Sequence, residues 1–115
     1  MKKDFFNKLR ILDGGMGQEL HAKGLVSKGT LWSTSAVLDE KYHGLIIDTH
    51  LAYIEAGAEV ITTTNFSSRR IRMEQNRGNN LFEFANKRLY NFASSLVLVN
   101  ELTGSVYPTD CISAA

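Results

Sequence analysis

The chain has 115 residues, of which 43% are hydrophobic and 22% charged, the usual size and composition of one globular domain. Its formal net charge of +1 gives no electrostatic reason to bind nucleic acid or a membrane surface. No apolar run approaches the roughly 20 residues of a membrane span, and the basic start lacks the long apolar stretch of a signal peptide. The single cysteine, Cys111, excludes an internal disulfide, so we expect a reducing, cytoplasmic environment.

The first predicted element is a short strand at residues 9–13, which runs into a glycine-rich turn at residues 14–17. A brief helix follows, and Gly24 is placed to end it. Residues 25–37 are rich in Ser, Thr and Gly, which predicts a loop with Trp32 inside it.

Two longer helices alternate with strands in the rest of the chain. Apolar side chains at spacings of three and four predict a helix at residues 39–57 and another at about 80–96. Five consecutive β-branched residues predict a buried strand at residues 60–64. A third strand is expected within residues 97–105, and the segment from Pro108 onward is expected to be a loose end.

This alternation of strands and helices predicts an α/β fold with parallel strands and crossover helices. It fits the opening of a (β/α) barrel or of a doubly wound sheet. Two or three strands cannot close a barrel, which needs eight strands and about 250 residues. We therefore expect the front part of a larger unit, with an open sheet edge through which copies could associate.

Polar residues follow the first two predicted strands at the ends where parallel α/β folds gather ligands. Asp13 ends the first strand, and Thr64 and Asn65 end the second. The bare amides of Gly14 and Gly15 lie beside the Asp13 carboxylate, at the start of a helix. A carboxylate beside free N–H groups suits the two charged ends of an amino acid. A glycine turn with a capping aspartate explains the same residues equally well.

The remaining candidates have simpler explanations as structural residues. Trp32 is expected to pack under its own loop more often than on a ligand. His50 and the tyrosines of its helix are expected in the core, and the basic residues at 69–72 are expected on a solvated helix face. Three scattered histidines and Cys111 form no recognisable metal-binding pattern, so no metal ligand is assigned.

Four segments together resemble the homocysteine S-methyltransferase family. They are DGGMGQEL at 13–20, LWSTSAVL at 31–38, THLAYIEAGAEVITTTNF at 49–66 and the SSRRIRM that follows. They occur in the family's order and at about its spacing, and the resemblance covers residues 9 to about 75.

The resemblance implies the N-terminal portion of a (β/α)8 TIM barrel, incomplete, with about two to three βα units. Residues 1–115 would form a single, partial homocysteine-binding domain. Such enzymes are zinc-dependent and move a methyl group from S-methylmethionine, betaine or a methylated folate to the thiol of homocysteine, giving methionine. The family's substrate-binding positions fall on Asp13, Gly14, Gly15, Trp32, Thr64 and Asn65.

The sequence also departs from the family pattern. The family's zinc is held by cysteines late in the barrel, including a Gly-Gly-Cys-Cys element that this chain lacks. Residues 97–115 are a tail of doubtful family match. We therefore assign no catalytic residue and expect a truncated chain without activity of its own. A non-catalytic module that binds an amino acid, or an interaction fragment, remains the alternative.

Overall fold

The structure, a computed structural model, describes Asp4, residues 7–101 and residues 107–109. In these ranges the chain forms mostly helices, with short strands between them. The elements are α1 Met16–Ala22, α2 Thr34–Leu38, α3 His43–Glu55, β1 Val60–Thr62, α4 Arg70–Gln75, α5 Phe82–Glu101 and β2 Tyr107–Thr109. Within the same ranges no helix combines the length and the apolar character that crossing a bilayer requires.

β1 is the centre of a small parallel arrangement. On one side it pairs with β2, with Ile61 opposite Pro108. On the other side a single parallel bridge joins Val60 to Leu12. The chain between Leu12 and β1 contains α1, α2 and α3, and the chain between β1 and β2 contains α4 and α5. The parallel pairing predicted between the first two strands is therefore present as the bridge at Leu12, whereas β2 lies outside the predicted strands.

Two groups of apolar side chains hold these elements together. The larger group joins all five helices and the loop after α1, and its buried members are Met16, Leu20, Leu25, Leu31, Ala36, Val37, Ile46, Met73, Ala85 and Leu89. The smaller group centres on Ile61 of β1, which packs against Ile47, Leu51 and Ile54. α3 therefore contributes to both groups, with one face toward the other helices and one toward the sheet.

The predicted strands are shorter in the structure than in the sequence analysis. The strand predicted at 9–13 is reduced to the bridge at Leu12, and that predicted at 60–64 ends at Thr62. Leu9 is 97% exposed and has no strand beside it in the described part of the chain. A strand is defined by hydrogen bonds to a partner strand, so local residue types overestimated the length of both strands.

The prediction of a loop throughout residues 25–37 was wrong, because α2 begins at Thr34. Ser33, Thr34 and Ser35 suggested a loop, yet all three are buried. The Thr34 hydroxyl lies 2.9 Å from that of Ser68, and Ser35 Oγ accepts from the amide of Lys28 at 2.9 Å. These tertiary hydrogen bonds satisfy side chains that would otherwise favour an irregular backbone.

The predictions for the last part of the chain also need correction. Residues 97–101 belong to α5 and not to a strand, while residues 102–106 lie outside the described residues. The apolar run there continues the preceding helix without a breaking residue, and a short apolar run does not by itself separate helix from strand. Pro108 lies in β2 and not in a loose end. In the described chain β2 pairs only with β1, and an edge strand tolerates proline.

Candidate functional site

The Asp13 side chain joins the end of the first segment to β1. Backbone bonds run from the amide of Val60 to the carbonyl of Ile11 (3.2 Å) and from the amide of Asp13 to the carbonyl of Val60 (3.0 Å). The next bond of a parallel ladder would run from the amide of Thr62 to the carbonyl of Asp13. Here the Thr62 amide donates instead to Oδ2 of Asp13, at 2.8 Å. The carboxylate thus takes the place of its own carbonyl and is fixed at the strand end.

Asp13 has an unusual electrostatic environment for a surface loop aspartate. Partial burial raises the pKa of its carboxyl group above the ordinary value, although hydrogen bonds from Thr62 and from its own amide act in the opposite direction. A carboxylate can accept about four hydrogen bonds, so Asp13 keeps acceptor capacity beyond its bond to Thr62. A partly buried negative charge of this kind is stabilised when a cationic group binds beside it.

Gly14 lies against the ring of Tyr53, a half-buried residue that also packs against the larger apolar group, as predicted for this face of α3. A methyl group on Gly14 would come within 3.0 Å of both the hydroxyl and a ring carbon of Tyr53, so the backbone approaches the ring closely. Burial, together with the charges of Glu19 and Asp13, raises the pKa of the Tyr53 hydroxyl. Tyr53 therefore lies at the border of the Asp13 turn. The sequence signal for this position was a residue with a polar hydroxyl at the end of an apolar helix stripe, since such side chains often reach from the core to a polar surface.

Gly15 precedes α1, and both Gly14 and Gly15 are exposed. No hydrogen bond from their amides is found to any other group in the described part of the chain. The amides of these two exposed residues follow Asp13 directly in the chain, and the prediction that they bind a ligand stays a prediction. They offer donors to an anion, while the carboxylate offers acceptors to a cation.

Trp32 lies against α1 and not under its own loop. The residue is 44% exposed, and the centre of its indole ring is 4.4 Å from that of the His21 ring, with a tilt of 47°. The indole Nε1 occupies the space that a side chain on Gly17 would need. Trp32 also has a φ of 52°, a backbone conformation that is uncommon for a bulky residue. The indole ring therefore packs against Gly17, which is two residues after Gly15 in the chain.

The loop before Trp32 is fixed to α4. Arg72 donates to the carbonyl of Thr30 at 2.8 Å, and Asn76 binds both the Thr30 amide and its hydroxyl. Gly29 has a φ of 55°, and a side chain there would collide with Asn76. Arg72 thus serves a structural contact, whereas Arg69 and Arg70 are exposed as predicted for a solvated face.

Thr64 and Asn65 follow β1 in the chain and differ in burial and in hydrogen-bond partners. Thr64 is buried, and its hydroxyl lies 3.3 Å from Nε2 of His50 on α3. Asn65 is half-buried; its side chain accepts from the Thr63 hydroxyl at 2.9 Å and its carbonyl accepts from Ser68. Both side chains therefore have partners in the fold itself, and no contact of either with Asp13 is found among the described residues.

His50 is in the core, as the sequence predicted, with 1% of its surface exposed. Burial lowers its pKa to about 4, because the charged imidazolium is poorly solvated there. Its Nδ1 atom is buried and finds no hydrogen-bond partner within the described residues. The ring is therefore neutral at physiological pH and links α3 to the end of β1 through Thr64.

The described residues contain no group of three or more His, Cys, Asp or Glu side chains arranged to hold a metal ion. The donor set of a structural or catalytic zinc site needs three or four such ligands. Cys111 lies outside the described residues. The described part of the chain therefore does not fit a zinc ion by itself.

A model of the family described as homocysteine S-methyltransferase matches residues 10–113, which is most of the chain. The chain belongs to the homocysteine S-methyltransferase family. All six substrate-binding positions expected from the sequence lie inside the matched range.

Relatives of this family match the chain over about half its length. It is 38% identical over 58 residues to homocysteine S-methyltransferase 3 of Zea mays, covering 50% of the chain and 17% of the relative. It is 36% identical over 58 residues to selenocysteine Se-methyltransferase of Brassica oleracea var. italica, covering 50% and 16%. It is 30% identical over 69 residues to homocysteine S-methyltransferase 2 of Arabidopsis thaliana, covering 57% and 20%. No solved structure matches the chain.

Proposed function

We propose that this chain is the amino-acid-binding part of a homocysteine S-methyltransferase. The aligned segment spans only about one sixth of the length of the Zea mays relative, so the activity of a whole enzyme is part of this proposal. The observation that carries it is the Asp13 turn, where a partly buried carboxylate lies beside two exposed glycine amides.

The two charged ends of homocysteine match the two kinds of group in this turn. Asp13 is held in place by its bond to Thr62, so its carboxylate is already oriented when an ammonium group arrives. Gly14 and Gly15 are exposed and carry no side chain of their own, and Tyr53 borders Gly14, so we propose that their amides donate to a carboxylate at this edge. Charge-assisted hydrogen bonds of this kind are roughly twice as strong as neutral ones. Trp32, Thr64 and Asn65 complete the set of substrate-binding residues that we propose from the family resemblance.

The fold that we propose for the complete enzyme is a (β/α)8 TIM barrel, of which this chain supplies the first units. Parallel pairing in chain order supports this, since the segment at Leu12, β1 and β2 are neighbours in that order. The proposal also places Asp13 at the carboxyl end of a strand, which is the face of a barrel where active sites lie.

Zinc would deprotonate the homocysteine thiol and hold it as a thiolate for attack on the methyl donor. The described residues contain no set of ligands for the ion, and Cys111 lies outside them. We therefore propose that the isolated 115-residue chain binds the amino acid but neither holds one equivalent of zinc nor forms methionine. Metal analysis of the purified chain, together with a methionine assay with each class of methyl donor, tests this directly.

The binding proposal is tested by titration calorimetry of the purified chain with L-homocysteine under reducing conditions. Asp13→Asn keeps an oxygen that can accept from the Thr62 amide but removes the charge, so we expect binding at least about tenfold weaker. Asp48→Asn is the matched control, since Asp48 is exposed on α3. Equal affinity of wild type and Asp13→Asn would contradict the proposed role of the turn.

Selenocysteine is a second candidate ligand, because one relative is named a selenocysteine Se-methyltransferase. The amino-acid end of both molecules is the same, so the Asp13 turn alone does not separate them. Titration with both amino acids distinguishes them, and methionine serves as a competitor with the same charged groups but a methylated sulfur.

A further inference from the structure

We propose that His21 is the positioning residue of Trp32 and that it holds the indole ring against α1 at the edge of the amino-acid site. The inference rests on the proposed function to the extent that Trp32 borders that site. Neither the resemblance nor the sequence pattern assigned a role to His21. Three separate contacts support the proposal.

The first contact is between the two rings. The ring centres of His21 and Trp32 are 4.4 Å apart, with a tilt of 47° between the planes. Aromatic pairs at this distance stabilise one another beyond simple burial. His21 is half-buried in the last turn of α1, so its ring has little freedom to move away.

The second contact runs through Ser27, which connects the side chain of His21 to the backbone of Trp32. Ser27 Oγ lies 2.8 Å from Nε2 of His21 and also donates to the carbonyl of Trp32, at 3.3 Å. Since the hydroxyl proton of Ser27 is directed to that carbonyl, its oxygen accepts the proton of Nε2. The Ser27 hydroxyl therefore binds both the imidazole of His21 and the backbone carbonyl of Trp32, and it fixes their positions relative to each other.

The third contact is between the indole ring of Trp32 and the bare backbone of Gly17. The indole Nε1 fills the space in which a Cβ atom on Gly17 would lie, one turn before His21 on the same face of α1. Gly17 and His21 thus form a shallow seat for the ring. Trp32 needs such support, because its φ of 52° is strained for a tryptophan and persists only if its surroundings hold it.

The consequence for binding is that His21 acts on the substrate through Trp32. Trp32 is 44% exposed while the Nε1 edge of its ring lies against Gly17 of α1, so part of the residue remains accessible to a ligand. Without His21 the strained loop can relax, and the exposed part of the ring no longer stays near Gly15.

Trp32 is the only tryptophan of the chain, so its fluorescence reports this seat without interference. The variants are His21→Ala, which removes both contacts, His21→Phe, which keeps a ring, Ser27→Ala, which removes the hydroxyl, and Gly17→Ala, which fills the seat. Ala22→Gln, at an exposed position of the same helix, is the control. Emission maximum, quenching by acrylamide and calorimetric affinity for L-homocysteine are measured for each, with circular dichroism as a check of folding.

We expect His21→Ala to shift the emission to longer wavelength, to increase quenching and to weaken homocysteine binding by about three- to tenfold. His21→Phe should restore most of both properties. Gly17→Ala should displace the indole ring, because the new methyl group takes its place. Alanine also favours the helix more than glycine does, so a change in fluorescence in this variant does not come from a destabilised α1. The control should match wild type.

Two results would overturn the proposal. If His21→Ala and Gly17→Ala leave emission and quenching unchanged, His21 does not position Trp32. If they change the fluorescence but not the affinity of a wild type that binds homocysteine, the seat has no role in binding. If wild type binds no homocysteine at all, the proposed function and the role of the seat in binding both fail, while the fluorescence still decides the His21–Trp32 relation.

Discussion

The buried His50 ring makes the stability of this fold depend on pH. Its pKa is about 4 in the folded chain against an ordinary value of 6.5, because burial opposes the charged form. The folded state therefore favours the neutral ring and the unfolded state binds the proton more readily. The stability gained from neutral His50 is fully present above pH 6.5 and is lost as the pH falls from there toward pH 4.

The size of this effect follows from the separation of the two pKa values. Each unit of separation corresponds to about 1.4 kcal/mol, so the full loss below pH 4 is about 3 kcal/mol. Between pH 7 and pH 5 the unfolded chain takes up most of its proton while the folded chain takes up little, and the loss is about 2 kcal/mol. That is a large part of the total stability of a chain of this length.

Urea unfolding at pH 7 and at pH 5, followed by the fluorescence of Trp32, measures the loss in wild type and in His50→Gln. Glutamine has no charge to gain and can still reach the hydroxyl of Thr64, so the pH dependence of the variant should be smaller by about 2 kcal/mol. NMR titration of the three histidine rings identifies the group directly. A His50 resonance that titrates near its ordinary value, or equal pH dependence in both proteins, would refute the reasoning.

Three further perturbations test other parts of the structure. Thr34→Val leaves the buried Ser68 hydroxyl without its partner and should lower the unfolding free energy by about 1–3 kcal/mol in a urea titration. The double variant Thr34→Val, Ser68→Ala removes both hydroxyls and should lower it less. Leu20→Ala empties a fully buried position of the larger apolar group and should cost about 2–5 kcal/mol, which chemical unfolding measures and which a cost near zero would contradict. Homocysteine affinity should decline as the pH falls through the pKa of Asp13, which burial holds above 3.8, and calorimetry of Asp13→Asn over the same range should show no such decline.

The sequence was a good guide where a pattern depends on local chemistry. The stripe of apolar residues around Ile46 predicted α3, and the glycines that end α1 and α3, Gly24 and Gly57, do have positive φ values. The position of Asp13 at a strand end was also readable, because carboxyl ends of strands gather polar groups in parallel folds. The parallel bridge between Leu12 and Val60 also agrees with the alternation of predicted strands and helices.

The sequence was a poor guide where a residue's partner lies far away in the chain. The burial of Thr34 depends on Ser68, which lies 34 residues later in the chain. The length of the first strand depends on which strand pairs with it. The contact of Tyr53 with Gly14 and that of Trp32 with α1 are likewise tertiary contacts that periodicity does not encode. Propensity and pattern are weak against such contacts.

The first segment has only one bridge to β1, yet two carboxylates set its alignment. Glu59 accepts from the amide of Ile11 at 3.2 Å and from the guanidinium of Arg10 at 2.6 Å, while Asp13 accepts from the amide of Thr62. A slip of one residue between strands turns every side chain to the opposite face. Glu59 and Asp13 therefore fix the register at either end of the pairing, and acidification that protonates both carboxylates would weaken the alignment that holds the Asp13 side chain at the strand end.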